Sequence, residues 1–440
     1  LSTGIPPQEA VVSRRKKFRA LRGMPDILPP EGRRRGMIEE TIKEVFRAYG
    51  YEEIRTPLLE ETEVFARSIG AETDIVEKEM YSFLDRGGKN VALRPECTAS
   101  VIRSFVENGW DKAGDSRKFF YCGPMFRGER PQKGRLRQFH QAGVELIGSR
   151  EPYADTELLI SAVTVLRAAG LNGHTLLLNS LGCASDRKRY REVLRAYLQK
   201  NSEKLCEDCL RRSKANVLRV LDCKKKACSA VIDKAPSVTQ YLCRECASYY
   251  ERVKGLLREN GLDFEERPDL VRGLDYYTGI VFEIVCSSLG AQDAVAAGGR
   301  YDDLCAQMGG ADVPATGYAI GIERLLLALG GEPEGSFSDG VFVIPMEESF
   351  RDKAFDILRR LRTNAICSDW DLTGRSFKAS MRKANRRGWG YVLIIGDEEM
   401  RTGKYALKNM DTGEQKSAGI ESVINELKTA RVKQERREKC

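Results

Sequence analysis

The chain has 440 residues, of which 42% are hydrophobic and 31% charged, and its formal net charge is +8. That composition excludes a disordered chain and is long enough for two or three domains with a large core. No apolar run approaches the length of a membrane span, and the positive charge points to a polyanionic partner only where it clusters.

Residues 1–18 carry Ser13-Arg14-Arg15-Lys16-Lys17 with a single acid, Glu9, and lack the apolar core of a secretory signal. They read as a disordered basic tail, with a trimmed organellar presequence as the alternative. The first residue is not Met, so a few residues are expected to be missing or removed ahead of it. A helix is predicted over 33–49, with Ile38, Ile42, Val45, Phe46 and Tyr49 on one face and Gly50 as its stop. Pro57 keeps Thr56 extended in Ile54-Arg55-Thr56-Pro57-Leu58-Leu59. Segments 80–85 and 90–96 form a hairpin turned at Gly87-Gly88. In Arg94-Pro95-Glu96-Cys97-Thr98 a strand gives way to a helix over 98–107. Thr98 reads as its N-cap, and Glu96 as a neighbour of the cap or a ligand for an ammonium group.

Two strands follow, over 117–122 and 139–147. The loop between them, 125–138, holds five basic residues and one acid. Such a loop suits phosphates, or else is a solvated hairpin tip. In the second strand Phe139, Gln141, Gly143 and Glu145 share a face, opposite Ala142, Val144 and Leu146. An amide and a carboxylate flanking a glycine make either a small polar floor with room above it or a surface-facing stripe. A helix over 154–169 and a strand over 176–180 come next. From about 184 to 260 the pattern is helical, charged and cysteine-rich, an inserted domain. Of the 13 cysteines, Cys206, Cys209, Cys223, Cys228, Cys243 and Cys246 fall here. Cys206-x-x-Cys209 and Cys243-x-x-Cys246 pair as in a zinc ribbon. With no secretion signal the preferred reading is a cluster of reduced thiols in a cytosolic compartment, with no metal assigned.

The stretch from Leu270 to Glu283 sets Arg272, Asp275, Tyr276 and Tyr277 ahead of a β-prone segment. It reads as a binding loop, or as a hairpin with an Arg272–Asp275 surface pair and two core tyrosines. The strand-rich part ends in a helix over 321–329, where Arg324 opposes the helix dipole in the first turn and so calls for a nearby anion. A linker, 331–340, leads to strands alternating with helices, a small α/β domain over 341–430, and a charged tail, 431–440. His140 and His174 are the only histidines and carry no assigned role.

Taken together these stretches resemble the histidyl-tRNA synthetases of class II, in their bacterial-type form. The carrying residues are Arg22-Gly23-Met24-Pro25-Asp26-Ile27-Leu28-Pro29, Arg55-Thr56-Pro57, the run from Phe126-Arg127-Gly128-Glu129 through Glu145, the run from Gly317 to Leu325, and the Leu270–Glu283 stretch, which is similar to that family's histidine signature. The resemblance covers about 22–430. It implies an α+β fold: a class II antiparallel sheet flanked by helices over 19–330, the helical insertion, and a C-terminal α/β anticodon-binding domain. It implies a cytoplasmic homodimer that binds L-histidine, ATP with Mg2+, and tRNA(His), with no membrane partner.

By the same resemblance Arg127, Arg272 and Arg324 serve catalysis. Arg127, Glu129 and Arg324 bind ATP. Glu96, Cys97, Thr98, Gln141, Glu145, Tyr276 and Tyr277, with Arg127 and Arg272, bind histidine, and Gln132 and Arg137 face the tRNA acceptor end. The loop Ala297-Gly298-Gly299-Arg300-Tyr301-Asp302 is expected to close the pocket. In the C-terminal domain Arg375, Lys378, Arg382, Lys383, Arg386 and Arg387 read as phosphate contacts. Two positions depart from the family pattern: Cys97 and Asp303 stand where glycine is commoner. The competing readings are a histidine-binding regulatory subunit of ATP phosphoribosyltransferase, which lacks the anticodon domain, and a plain RNA-binding module.

Overall fold

The computed structural model describes residues 17–438 except 71–72, 224, 291–292 and 332–336, with side chains to residue 429. Most of the basic tail, most of the linker's centre and the side chains of the charged tail therefore lie outside the described residues. The chain divides into two compact units, one built on 35–330 and one on 331–440, with 27–34 belonging to the second. No described helix is long and apolar enough to cross a membrane.

In the first unit, helix Glu31–Ala48 buries Ile42 and Phe46 fully, with Ile38, Val45 and Tyr49 beside them, the stripe that a 3.6-residue period produces. That stripe packs on an eight-stranded sheet in the order Glu52–Glu53, Arg117–Phe126, Gln138–Ile147, Ala315–Gly321, Ala294–Arg300, Thr278–Val285, Thr175–Ser180 and Glu265–Glu266. The central strands pair antiparallel, and the two-residue edge strands pair parallel. Ala142, Val144 and Leu146 join Phe120, Phe282 and Tyr318 in one core with helices Pro152–Ala168 and Arg244–Glu259. The opposite face carries a second core, where Phe119, Ile147, Val281 and Ala315 pack with helix Thr98–Glu107 and the insertion, and beside it the polar groups Gln141 and Glu145. Beside it, Leu59–Glu61, Asn90–Leu93 and Ser82–Leu84 form a small antiparallel sheet.

Three local expectations are corrected. The first long strand runs on to Phe126 through Pro124, whose carbonyl accepts a hydrogen bond from Arg94 Nε at 3.0 Å. The basic loop is thereby shortened to 127–137, pinched by a bridge between Gln132 and Arg135. Thr98 is not the N-cap of helix Thr98–Glu107: the Glu96 carboxylate accepts from the Thr98 and Ala99 amides, at 2.7 and 2.9 Å. The supposed closing loop is mostly strand Ala294–Arg300. Its glycines are needed against the chain itself, because a Cβ at Gly298 would overlap the Gly317 carbonyl.

Between 184 and 260 lie helices Ala184–Lys200, Glu207–Lys214, Lys226–Ile232 and Arg244–Glu259, with no strand among the described residues. The second unit is a five-stranded sheet ordered Ser368–Trp370, Phe337–Pro345, Trp389–Ile395, Lys404–Asn409 and Gln415–Gly419. Its first pairings are parallel and its last antiparallel. Helices Arg351–Thr363 and Phe377–Arg386 pack on it. A short helix, Asp397–Thr402, was not expected from the sequence.

Candidate active site

Arg127, Arg272, Arg324, Glu96, Thr98, Glu129, Gln141, Tyr276 and Tyr277 all line one cavity of about 420 Å³. Five stretches distant in sequence bring them together. The ends of the paired strands supply Arg127 and Gln141, the helix start at Thr98 supplies Glu96, and the loop before Thr278 supplies Arg272 and the tyrosines. Among the other expected residues, Glu145 lies just under the cavity floor and is 1% exposed. Cys97 is turned into the core, with its sulfur 3.4 Å from Thr56 Oγ1 and 3.7 Å from Arg94. Gln132 and Arg137 stand off the cavity wall. Gln132 sits in the loop's internal bridge, and Arg137 Nε donates to the Glu129 carbonyl at 3.3 Å.

On the polar floor the Glu145 carboxylate is satisfied at both oxygens. Thr98 Oγ1 donates to Glu145 at 2.7 Å, and the Tyr301 hydroxyl donates to its other oxygen. Burial disfavours the charged carboxylate and pushes Glu145 up to about 8, against the pull of these hydrogen bonds. A Cβ at Gly317 would overlap the Glu145 carboxylate, so only glycine leaves that group its place. The space expected above Gly143 is not open: the Tyr121 hydroxyl occupies it. Tyr276, Tyr277 and Tyr301 pack as a trio with ring centroids 4.7, 5.5 and 6.4 Å apart, so that Tyr276 and Tyr277 give the cavity one aromatic wall and the buried Tyr301 backs it.

The arginines form another wall. Arg127 lies over the Phe139 ring at 5.1 Å and donates through Nε to the Pro95 carbonyl at 2.9 Å. Arg324 NH1 donates to the Ala294 carbonyl at 2.8 Å, and burial together with the nearby Arg135 lowers its hold on its proton. Arg272 pairs with Glu283, not with Asp275, and lies over the Tyr277 ring at 5.9 Å. Two buried polar atoms of the cavity wall, Arg272 Nε and Gln141 Oε1, find no hydrogen-bond partner within the described chain. Like charges gathered on one concave surface repel, and a polyanion in the cavity turns that repulsion into attraction.

The sequence did not single out Tyr121, Glu283, Arg219 or Asp222, all of which line the cavity, nor Tyr301 as a floor residue. Strand alternation from Phe119 could have found Tyr121, which pairs with Gly143. Arg219 and Asp222 belong to the insertion, and no local pattern marks them.

An antiparallel sheet carrying an arginine-walled cavity, with a separate C-terminal α/β unit, defines the catalytic arrangement of a class II aminoacyl-tRNA synthetase. The histidyl-tRNA synthetase family profile matches residues 23–325, and that of the anticodon binding domain matches 340–430. Over 412 residues the chain is 45% identical to the histidine–tRNA ligase of Halothermothrix orenii, covering 93% of this chain and 98% of that protein. The crystal structure of apo S. aureus histidyl-tRNA synthetase is similar with a TM-score of 0.77 and 34% identity, over 94% of this chain and all of that one. An ATP phosphoribosyltransferase regulatory subunit/histidyl-tRNA synthetase from Bacillus halodurans shares the fold at 23% identity and a TM-score of 0.64, over 86% of this chain and 98% of that one. The chain belongs to the histidyl-tRNA synthetase family.

Proposed function

We propose that this chain, a histidine–tRNA ligase, carries out its reaction in the 420 Å³ cavity with the following division of labour. The histidine carboxylate attacks the α-phosphorus of ATP, the bond to the bridging oxygen breaks, and pyrophosphate leaves with the electron pair. The nucleophile is already ionised, so no general base is needed. What remains is to hold the reactants in line and offset the charge growing on the α-phosphate. Arg127 and Arg272 do this, Arg272 also reaching the histidine carboxylate, while Arg324 holds the γ-phosphate side and Glu129 the adenine end. A hydroxyl of the terminal adenosine of tRNA(His) then attacks the activated carbonyl and AMP leaves. Gln132 and Arg137, outside the cavity, face that acceptor end.

Glu96, Thr98 and Gln141 hold the α-amino and carboxylate groups. Glu145 under the floor, with Tyr276 and Tyr277 beside it, takes the imidazole. A site that hydrogen-bonds both ring nitrogens rejects amino acids without them, because an unpartnered buried polar group costs on the order of 1–3 kcal/mol. The observation that carries this reading is the buried, doubly hydrogen-bonded Glu145 beneath a cavity walled by three arginines. Cys97, placed in the core, supports the floor only by packing.

Mg2+ would enter on the phosphates and keep most of its ligands as phosphate oxygen and water. The wall carboxylates Glu129 and Glu283 are each engaged by an arginine, Glu129 by Arg135 at 3.0 Å and Glu283 by Arg272. A homodimer fits the exposed Leu58, Leu59, Phe83 and Leu84 on and beside the small sheet, and light scattering of the purified protein tests it. A cytoplasmic setting fits the unpaired thiols among the described residues. Histidine-dependent exchange of pyrophosphate into ATP is the expected activity. No exchange with histidine, or equal exchange with other amino acids, overturns the reading.

A further inference from the structure

The cysteines of the insertion are not paired as their spacing suggested. Cys206 and Cys209 gather with Cys223 and Cys228, and all four sulfurs lie within 4.8 Å of one another. Cys243 and Cys246 gather instead with Cys183 and Asp186, one ligand atom from each again within 4.8 Å of the rest. None of these cysteines is in a disulfide. Ligands at about 2.3 Å around a tetrahedral ion stand roughly 3.8 Å apart. The Cys206 and Cys223 sulfurs are 4.0 Å apart.

Local geometry serves both clusters. Cys183, Cys206 and Cys243 each stand at the N-cap of a helix, and a second ligand, Asp186, Cys209 or Cys246, follows in its first turn. The Cys206 amide points at Cys228 Sγ at 3.3 Å, and the Cys246 amide at Cys243 Sγ at 3.5 Å. Helix N-termini and backbone N–H groups favour thiolate. Asp186 is fully buried and fixed from outside by the Cys243 amide at 3.0 Å and Arg189 at 2.8 Å, the outer bonding that orients a carboxylate ligand.

We propose that the insertion holds two structural zinc ions, one on Cys206, Cys209, Cys223 and Cys228 and one on Cys183, Asp186, Cys243 and Cys246, and that the first fixes segment 216–222 as a wall of the catalytic cavity. Each set is complete at four protein ligands, leaving no position for a substrate, and thiolate-rich tetrahedra select zinc. Segment 216–222 lies between two ligands of the first set. It contributes Arg219 and Asp222 to the cavity wall, and its Asn216 holds Asp275 of the Arg272 loop. The first set joins two short helices, Glu207–Lys214 and Lys226–Ile232, with the turns between them, and a metal supplies a cross-link that such short elements lack.

The metal content of the full-length protein, purified without chelator, tests the sites independently of any activity. Two equivalents of zinc per chain are expected, falling to one in Cys223→Ser and to one in Cys243→Ser. An organomercurial should release the zinc as it consumes the thiols. Protein produced in cobalt-supplemented medium should show the visible bands of tetrahedral cobalt with thiolate charge transfer, a readout that does not depend on a variant's folding. Zinc-free protein with all thiols titratable overturns the proposal, iron in place of zinc overturns the choice of metal, and a single equivalent lost wholly in Cys223→Ser overturns the second site. The wall role rests on the adenylation reading. In pyrophosphate exchange, Cys223→Ser should raise KM for histidine or ATP at least 10-fold with kcat within about 3-fold, whereas unchanged KM with zinc lost overturns that role alone.

Discussion

The side-chain amide of Asn216 lies 2.8 Å from both carboxylate oxygens of Asp275. This contact spans the helical insertion and the loop that carries Arg272, Tyr276 and Tyr277, and the Asp275 amide is tied in turn to the Ile69 carbonyl at 3.1 Å. Asp275, which the sequence offered as a partner for Arg272 in one of two readings, is held by Asn216 and sets where the loop sits. Asp275→Ala and Asn216→Ala should each raise KM for histidine, by about 10-fold for a hydrogen bond to a charged group. The double variant should be no worse than either single one. Additive losses in that double-mutant cycle would show that the two residues act separately.

Arg272→Ala should lower the rate of histidine-dependent pyrophosphate exchange by about 10²–10³, the usual cost of removing one donor to developing transition-state charge. Affinity for tRNA(His), measured by filter binding, should change little. Parallel loss of both would mean that Arg272 works by holding Glu283 and the loop.

Glu145→Gln keeps the shape of the floor but turns one acceptor into a donor. KM for histidine should rise roughly 10- to 100-fold. The same group gives a pH signature without substrate. Burial raises Glu145 from 4.5 to about 8, so between those values the folded protein holds a proton that the unfolded chain has lost. Stability from this group is therefore greatest below 4.5, falls as pH rises, and levels off above about 8. Melting temperatures of the empty protein across that range should decline more steeply in the wild type than in Glu145→Gln, and equal slopes would contradict the assignment.

Gly317→Ala places a methyl group on the Glu145 carboxylate. The strand pairing around it leaves little freedom to move, since Gly317 faces Gly299 on one side and Glu145 on the other. The variant should lose histidine-dependent exchange almost completely while circular dichroism shows the secondary structure retained. Normal exchange would mean that the floor tolerates a displaced Glu145.

On helix Phe377–Arg386 and its flanks, Arg375, Lys378, Arg382, Arg386 and Arg387 are exposed, whereas Lys383 is half-buried and paired with Asp371 at 2.8 Å. Neutralising Arg382 or Arg386 should weaken tRNA binding and reduce the slope of log affinity against log salt by about 1 each. Lys383→Ala should instead lower the melting temperature, because it leaves the buried Asp371 carboxylate with only the more distant Arg375 as a cation, at 4.0 Å.

Much of this site could be read from the sequence where the signal was local. Alternation along 139–147 put Gln141 and Glu145 on one face, and they are there. What failed was pairing across distance. Arg272 had an aspartate three positions away and a glutamate eleven away, and the turn into strand Thr278–Val285 brings the farther one back. Glu96 and Thr98 are both able to cap a helix, and only the fold assigns the cap to Glu96 and the Thr98 hydroxyl to Glu145. The glycines at 298 and 299 read as a loop closing over a ligand, because close approach to a ligand and close approach of neighbouring strands ask for the same residue. The cysteines misled in a related way: two x-x spacings suggested one ribbon, but each pair gathers with different groups, Cys223 and Cys228 in one case and Cys183 and Asp186 in the other.

Arg272 Nε and Gln141 Oε1 bear on the stability of the protein as well as on its chemistry. Each is a buried group kept ready at the cost of part of the empty enzyme's stability. A substrate that meets them restores that stability, so the fold and the supply of free histidine are thermodynamically linked. Saturating histidine should therefore raise the melting temperature of the wild type, and by less in Gln141→Ala.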